Sequence, residues 1–148
     1  MKTLANTFVA VALIVVSTFT MATAKPKVPN KKTVVNLSTA ALAIDHYVAI
    51  MTAGESAGLE KLFTSDFTQK INAKEGRTNS RSEVVSFLKK QKGDQLNCKT
   101  STIIVENSAD YKVARITMQF EGFTKNDLVT LVNDGGNWKV SQSITTYQ

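Results

Sequence analysis

Apolar residues recur at helical spacing along the first half of the chain. Ala41, Ile44, Val48 and Met51 form one stripe, with Tyr47 beside it. Ser38 or Thr39 can cap this helix, and Gly54 supplies a C-terminal stop. Leu42 and Ile50 fall off the stripe, which predicts a helix covered on more than one face. A second short helix is predicted over about Glu55 to Phe63, with Leu59, Leu62 and Phe63 on one side. In DFTQKI, Phe67 and Ile71 alternate with polar residues, which predicts a short strand, and Gly76 marks a turn. Ser80-Arg81-Ser82-Glu83 reads as a capping box opening a third helix through about Lys92. Its buried positions are Val84, Val85 and Leu88, and Gly93 ends it.

After Gly93 the apolar period falls from 3.6 to 2. Four strands are predicted: Lys99–Glu106, Tyr111–Gly122, Asp127–Asn133 and Trp138–Thr146, with a strong turn signal at Asp134-Gly135-Gly136-Asn137. Three N-terminal helices packed on a curved, mainly antiparallel sheet make an α+β domain.

Alternation also predicts which face of the sheet meets the helices. Trp138, Val140, Gln142 and Ile144 share one side of the last strand; Lys139, Ser141, Ser143 and Thr145 share the other. Pairing Asn133 with Trp138 sets Leu131 against Val140 and Val129 against Gln142. Ile116, Met118 and Phe120 are the apolar set of the second long strand. This inner face is greasy, with Gln142 its one polar member and no ionisable group.

The first 24 residues have the three parts of a secretory signal: Lys2, the apolar run FVAVALIVVSTF, and the small-x-small junction Ala22-Thr23-Ala24 before Lys25-Pro26. Cleavage after Ala24 would deliver the protein to the periplasm or the exterior. An uncleaved membrane anchor is the alternative, against which the run is short of the roughly 20 residues that span a bilayer. Residues 25–37 read as a disordered leader rich in lysine and proline, and 38–148 as one domain.

Charge and rare residues narrow the chemistry. The net charge is +6, but from Ser38 onward there are 13 basic and 12 acidic residues. No basic stripe of the kind nucleic acid requires lies on the domain. Lys70, Lys74, Arg77, Arg81, Lys89, Lys90 and Lys92 form either a solvated face or an anion-binding rim. One cysteine, Cys98, allows no internal disulfide, and with a single histidine it leaves no clustered zinc site. No Ser-His-Asp order, phosphate loop or CxxC occurs. On the first helix Tyr47 joins the apolar stripe, Asp45 lies on its flank and His46 points away. No catalytic residue, metal or cofactor is assigned.

The order of elements resembles the nuclear transport factor 2-like superfamily, the cystatin-like cone shared with ketosteroid isomerases and polyketide cyclases. The resemblance rests on IDHYVAIMTAGESAGLEKLF and on the closing LVTLVNDGGNWKVSQS, and spans about Ser38 to Gln148. It points to the exported branch called lumazine-binding-like or of unknown function, and departs from it at Asn126-Asp127-Leu128, where that branch tends to carry Asp-Tyr-Leu. The resemblance implies a cavity between helices and sheet. Its candidate lining is Tyr47, Met118, Phe120, Trp138, Val140 and Gln142. The expected function is non-enzymatic binding of a small apolar ligand or a protein. The alternatives are an isomerase, cyclase or dehydratase using Tyr47 and Asp45, or a homodimerisation module without ligand.

Overall fold

The computed structural model describes residues 34–72 and 76–148. The expected signal segment and the leader up to residue 33 lie outside the described residues. Helix α1 spans Ala40–Ala53 and α2 spans Leu59–Leu62. Strands β1 (Phe63–Asn72) and β2 (Arg77–Ser80) follow, then α3 (Arg81–Lys90). Strands β3 (Lys99–Asn107), β4 (Tyr111–Gln119), β5 (Thr124–Asp134) and β6 (Asn137–Tyr147) complete the chain. One six-stranded sheet runs in the order β2-β1-β6-β5-β4-β3, and only β1 beside β6 is parallel. The domain is α+β. Among the described residues two helices precede the first strand rather than three, because β1 and β2 come before α3.

Local chemistry sets the helix ends. Thr39 accepts from the Leu42 amide, and Gly54 closes α1 in a left-handed turn at φ 59°. A side chain at Gly54 would also strike the backbone of Gln91, Gly93 and Asp94 at 2.6 Å, so the α1 terminus packs directly on the loop after α3. The Ser80–Glu83 capping box is present, and Val84, Val85 and Leu88 are buried. The second helix is one turn, shorter than the spacing predicts. Gly58 enters it at φ 64° and Phe63 leaves it extended.

The buried stripe of α1 is Ala40, Ala43, Ile44, Tyr47 and Ile50. It is rotated from the predicted one: Ala41 and Leu42 are exposed, while Val48 and Met51 are only partly buried. The leader is packed at its end. Leu37 is buried and its carbonyl accepts from the Trp138 amide at 2.7 Å, while Val35 presses on Gly58 so closely that a side chain there would meet it at 2.6 Å. The ordered domain therefore starts a few residues before Ser38.

The core lies between α1, α2 and the inner face of the sheet: Leu62, Phe63, Ala114, Ile116, Met118, Val129, Leu131 and Val140 are all buried there. Phe63 and Phe67 pack at a tilt, with ring centroids 4.4 Å apart. The far edge strand β3 is exposed throughout, with Ile103 62% accessible, and its pairing with β4 breaks register between Ile104 and Glu106.

A second register break decides the site. Asn133 pairs with Trp138 and Leu131 with Val140, as alternation predicts. The pairing then shifts: Thr130 faces Gln142 and Val129 faces Ser143. Ser141 is the extra residue of a β-bulge. Beyond it the faces exchange, so Ser143 and Thr145 are buried on the inner side, while Gln142 and Ile144 are turned to the outer one. The expectation that Gln142 faces inward is corrected by this one-residue slip, which reverses every side chain after it.

Candidate functional site

The inner surface has a polar half, to which the exchange of faces adds Ser143 and Thr145; the expectation of an inner face without ionisable groups is corrected by Asp127. Asp127 is 0% exposed, on the parity of Val129 and Leu131, directly across from Thr145 on β6 and Ile116 on β4. Three donors meet its carboxylate. The Thr145 hydroxyl donates to Oδ1 at 2.6 Å, the Tyr47 hydroxyl to Oδ2 at 3.0 Å, and Lys125 Nζ lies 3.0 Å from Oδ2. A buried carboxylate is tolerable only with such partners. Burial first, and then the adjacent Asp127 charge, hold the Tyr47 phenol well above its usual value. Tyr47 is thus a fixed hydrogen-bond donor at neutral pH. Ser143 Oγ lies near enough to oppose that rise slightly, yet it makes no bond of proper geometry and is a buried hydroxyl without a partner.

Beside this cluster a polar pair crosses from β1 to β2. Gln69 and Asn79 are register partners, and Asn79 Nδ2 donates to Gln69 Oε1 at 2.9 Å. Asn79 is 8% exposed, and its Oδ1 has no partner.

Both groups open onto one pocket of about 250 Å³ between α3 and the β2-β1-β6-β5 side of the sheet. Met51, Ile71, Val84, Phe87, Leu88 and Tyr147 make its apolar walls; Gln69, Asn79, Thr145 and Lys125 are polar, with Arg77 and Glu83 also in the lining. Glu83 caps α3, and that capping hydrogen bond from Ser80 is the main reason its carboxyl is held below the ordinary range. Phe87 and Tyr147 are more than half exposed, and Phe123 lies against Tyr147, its ring centroid 6.1 Å away.

The six candidate lining residues fall elsewhere. Trp138, Val140 and Met118 are buried in the closed core, Phe120 stacks on Phe123, Gln142 is on the outer face, and Tyr47 reaches the pocket only through Asp127. Asp45 is exposed and lines a separate hollow of about 330 Å³ between α1 and β3, with Ile44, Thr102, Ile104 and Lys112. Tyr47 and Asp45 are therefore not brought together. His46 Nε2 is buried without a partner and belongs to neither pocket.

The residues that matter were partly legible. Asp127 and Lys125 share parity with Val129, and Gln69 shares parity with Phe67 and Ile71; extending the alternation to them would have placed all three inside. Thr145 was hidden by the bulge, and Asn79 by a four-residue strand with no apolar member.

The family described as putative lumazine-binding matches residues 36–144. The chain belongs to that family. Its superfamily is the nuclear transport factor 2-like one, and solved structures agree on the fold. A nuclear transport factor 2-like protein of unknown function from Silicibacter pomeroyi is 18% identical, covering 73% of this chain and 90% of its own, with TM-score 0.57. A protein of unknown function from Pectobacterium atrosepticum is 20% identical over 76% and 90%, with TM-score 0.59. A structure titled putative ketosteroid isomerase, from Parabacteroides distasonis, is 10% identical over 72% and 86%, with TM-score 0.55. Among curated proteins nothing matches. Within the lumazine-binding-like family, this chain carries Asp127 where the resemblance leads one to expect a tyrosine.

Proposed function

We propose that this member of the family is exported after cleavage behind Ala24, and that it binds a small molecule in the α3 pocket without transforming it. The observation that carries the reading is the contrast within that pocket. Apolar walls offer affinity by area, while a few fixed polar groups on its floor offer orientation, the usual design of a small-molecule site. Both oxygens of Asp127 are engaged by Thr145, Tyr47 and Lys125, so the buried carboxylate holds Lys125 in place. The family description, naming lumazine, is consistent with a ligand of this size. Binding of naphthalene, a small neutral fluorescent dye, tests the reading: wild type should bind, Phe87→Ala should bind more weakly, and amide shifts on binding should cluster at Ile71, Val84 and Leu88. No dye binding and no shifts would leave the domain as an interaction module.

One observation favours a second reading, an isomerase-, cyclase- or dehydratase-type enzyme. Tyr47 and Asp127 form a buried hydrogen-bonded pair beneath the pocket, and a Tyr–Asp pair can carry acid–base chemistry. Its proton would move through Asp127, not Asp45. Turnover by wild type, abolished in Asp127→Asn with dye binding intact, would replace the binding reading.

A further inference from the structure

Two polar groups of the pocket, both largely withdrawn from solvent, keep bonding capacity that the protein does not use up. Asn79 is nine-tenths buried, its Nδ2 committed to Gln69, and its Oδ1 is left as an acceptor without a donor. A buried acceptor in that state costs stability unless something outside the chain donates to it. Lys125 is the converse. Its side chain is 16% exposed, and among the described residues Asp127 is its one ion-pair partner. An ammonium has three hydrogens. One goes to Asp127, which holds Nζ in place and leaves the others for a second acceptor.

The two groups are not neighbours. Asn79 stands on β2 and Lys125 on β5, with β1 and β6 between them. Adjacent strands lie about 4.8 Å apart, and the pairing sets Asn79 level with Val129, four residues along β5 from Lys125, so the poles lie at separate ends of the pocket lining instead of serving adjacent atoms of one ligand group. Between them the lining is Ile71, Val84 and Leu88, with Phe87 and Tyr147 at the mouth. A volume of about 250 Å³ is below the roughly 300–1,000 Å³ of drug-sized sites. Flanking aromatic and branched side chains suit a flat ring.

Resting on the pocket-binding reading, we infer that the site holds a small flat ring compound by its two ends: Lys125 Nζ donates to a carbonyl or carboxylate oxygen, and Asn79 Oδ1 accepts from an N–H or O–H at the far end. Neither pole by itself selects this class. The pairing does, since a purely anionic ligand leaves Asn79 unsatisfied and a purely donating one leaves Lys125 unused.

Three probes that differ by one group test it on the exported protein by titration calorimetry. Benzoate offers the acceptor, phenol the donor, and 4-hydroxybenzoate both. Wild type should bind 4-hydroxybenzoate about fivefold or more tightly than benzoate, the gain of one hydrogen bond to a buried acceptor. Asn79→Leu should erase that gain and leave benzoate unchanged. Lys125→Met should weaken benzoate and 4-hydroxybenzoate about tenfold or more and leave phenol unchanged. A hydroxyl that adds nothing in wild type, as when a water already satisfies Asn79, overturns the inference without any variant being made. Equal losses for benzoate and 4-hydroxybenzoate in Asn79→Leu overturn it as well. If naphthalene binds and none of the three probes does, the two-ended assignment fails while the pocket reading stands; if nothing binds, both fail.

Discussion

The inner face of the sheet has two halves built on opposite terms. Under α1 and α2 lie Ala114, Val129, Leu131, Val140 and Trp138, where only volume and shape matter. Toward α3 lie Asn79, Gln69, Ser143, Thr145, Asp127 and Lys125, where each group needs a partner. Val129 and Asp127 are adjacent on the same face of β5, and both are 0% exposed. The apolar half is closed: its side chains satisfy one another by contact. In the polar half Asp127 is fully met, but Asn79 Oδ1 and Ser143 Oγ are not. Within this core the unsatisfied Asn79 Oδ1 borders the pocket, while the apolar half packs by contact alone.

The largest test of this contrast lies in the closed half. Trp138 is 7% exposed and its amide bonds to Leu37. Trp138→Ala should destabilise by about 3–5 kcal/mol in urea unfolding, as other buried aromatics do, and should leave dye binding intact in the folded fraction. A near-wild-type midpoint would mean the apolar half is not closed around it.

Asp127→Asn attacks the polar half at its centre. It keeps the shape but weakens the charge-assisted bonds from Lys125, Thr145 and Tyr47. The expected cost is about 1.5–3 kcal/mol at pH 7, measured by the same unfolding curves. A neutral or stabilising outcome would show that desolvation of the pair outweighs its attraction.

Tyr47→Phe should cost less, about 1 kcal/mol, for one hydrogen bond to Asp127. It also carries a pH signature. The folded phenol titrates above the unfolded one, because it is buried and next to a carboxylate. Its contribution is therefore complete below the unfolded value near 10. Above that pH the unfolded chain has released the proton and the folded chain still holds it, so stability falls as pH rises. Wild type should lose stability more steeply than Tyr47→Phe between pH 10 and 11. Parallel curves would place the tyrosine titration outside the folding equilibrium.

The smallest effect is expected at Gln142. On the outer face, Gln142→Leu should change stability by about 0.5 kcal/mol or less and leave probe binding alone. A loss of binding would mean that β6 is not bulged at Ser141 in solution, and that the inner row runs Val140, Gln142, Ile144 after all.

The sequence by itself determined the class of the domain and most of its elements. Helical and strand periods are written in the spacing of apolar residues, and local signals such as Thr39, Gly54, the Ser80–Glu83 box and the Asp134–Asn137 turn need only their neighbours to act. The register Asn133–Trp138 and Leu131–Val140 follows from that turn. Only the tertiary structure decided the site. The bulge at Ser141 has no local signal, and one extra residue carried Ser143 and Thr145 in and Gln142 out. Strand β2 forms only because β1 is there to pair with it, which is how Asn79 comes to be buried beside Gln69. The meeting of Tyr47, Thr145, Lys125 and Asp127 joins α1 to both strands of the last hairpin, with Tyr47 and Asp127 80 positions apart. Alternation reports a residue's side of its own strand; which buried polar groups find partners across such distances is settled only when the strands, the bulge and the helix are in place.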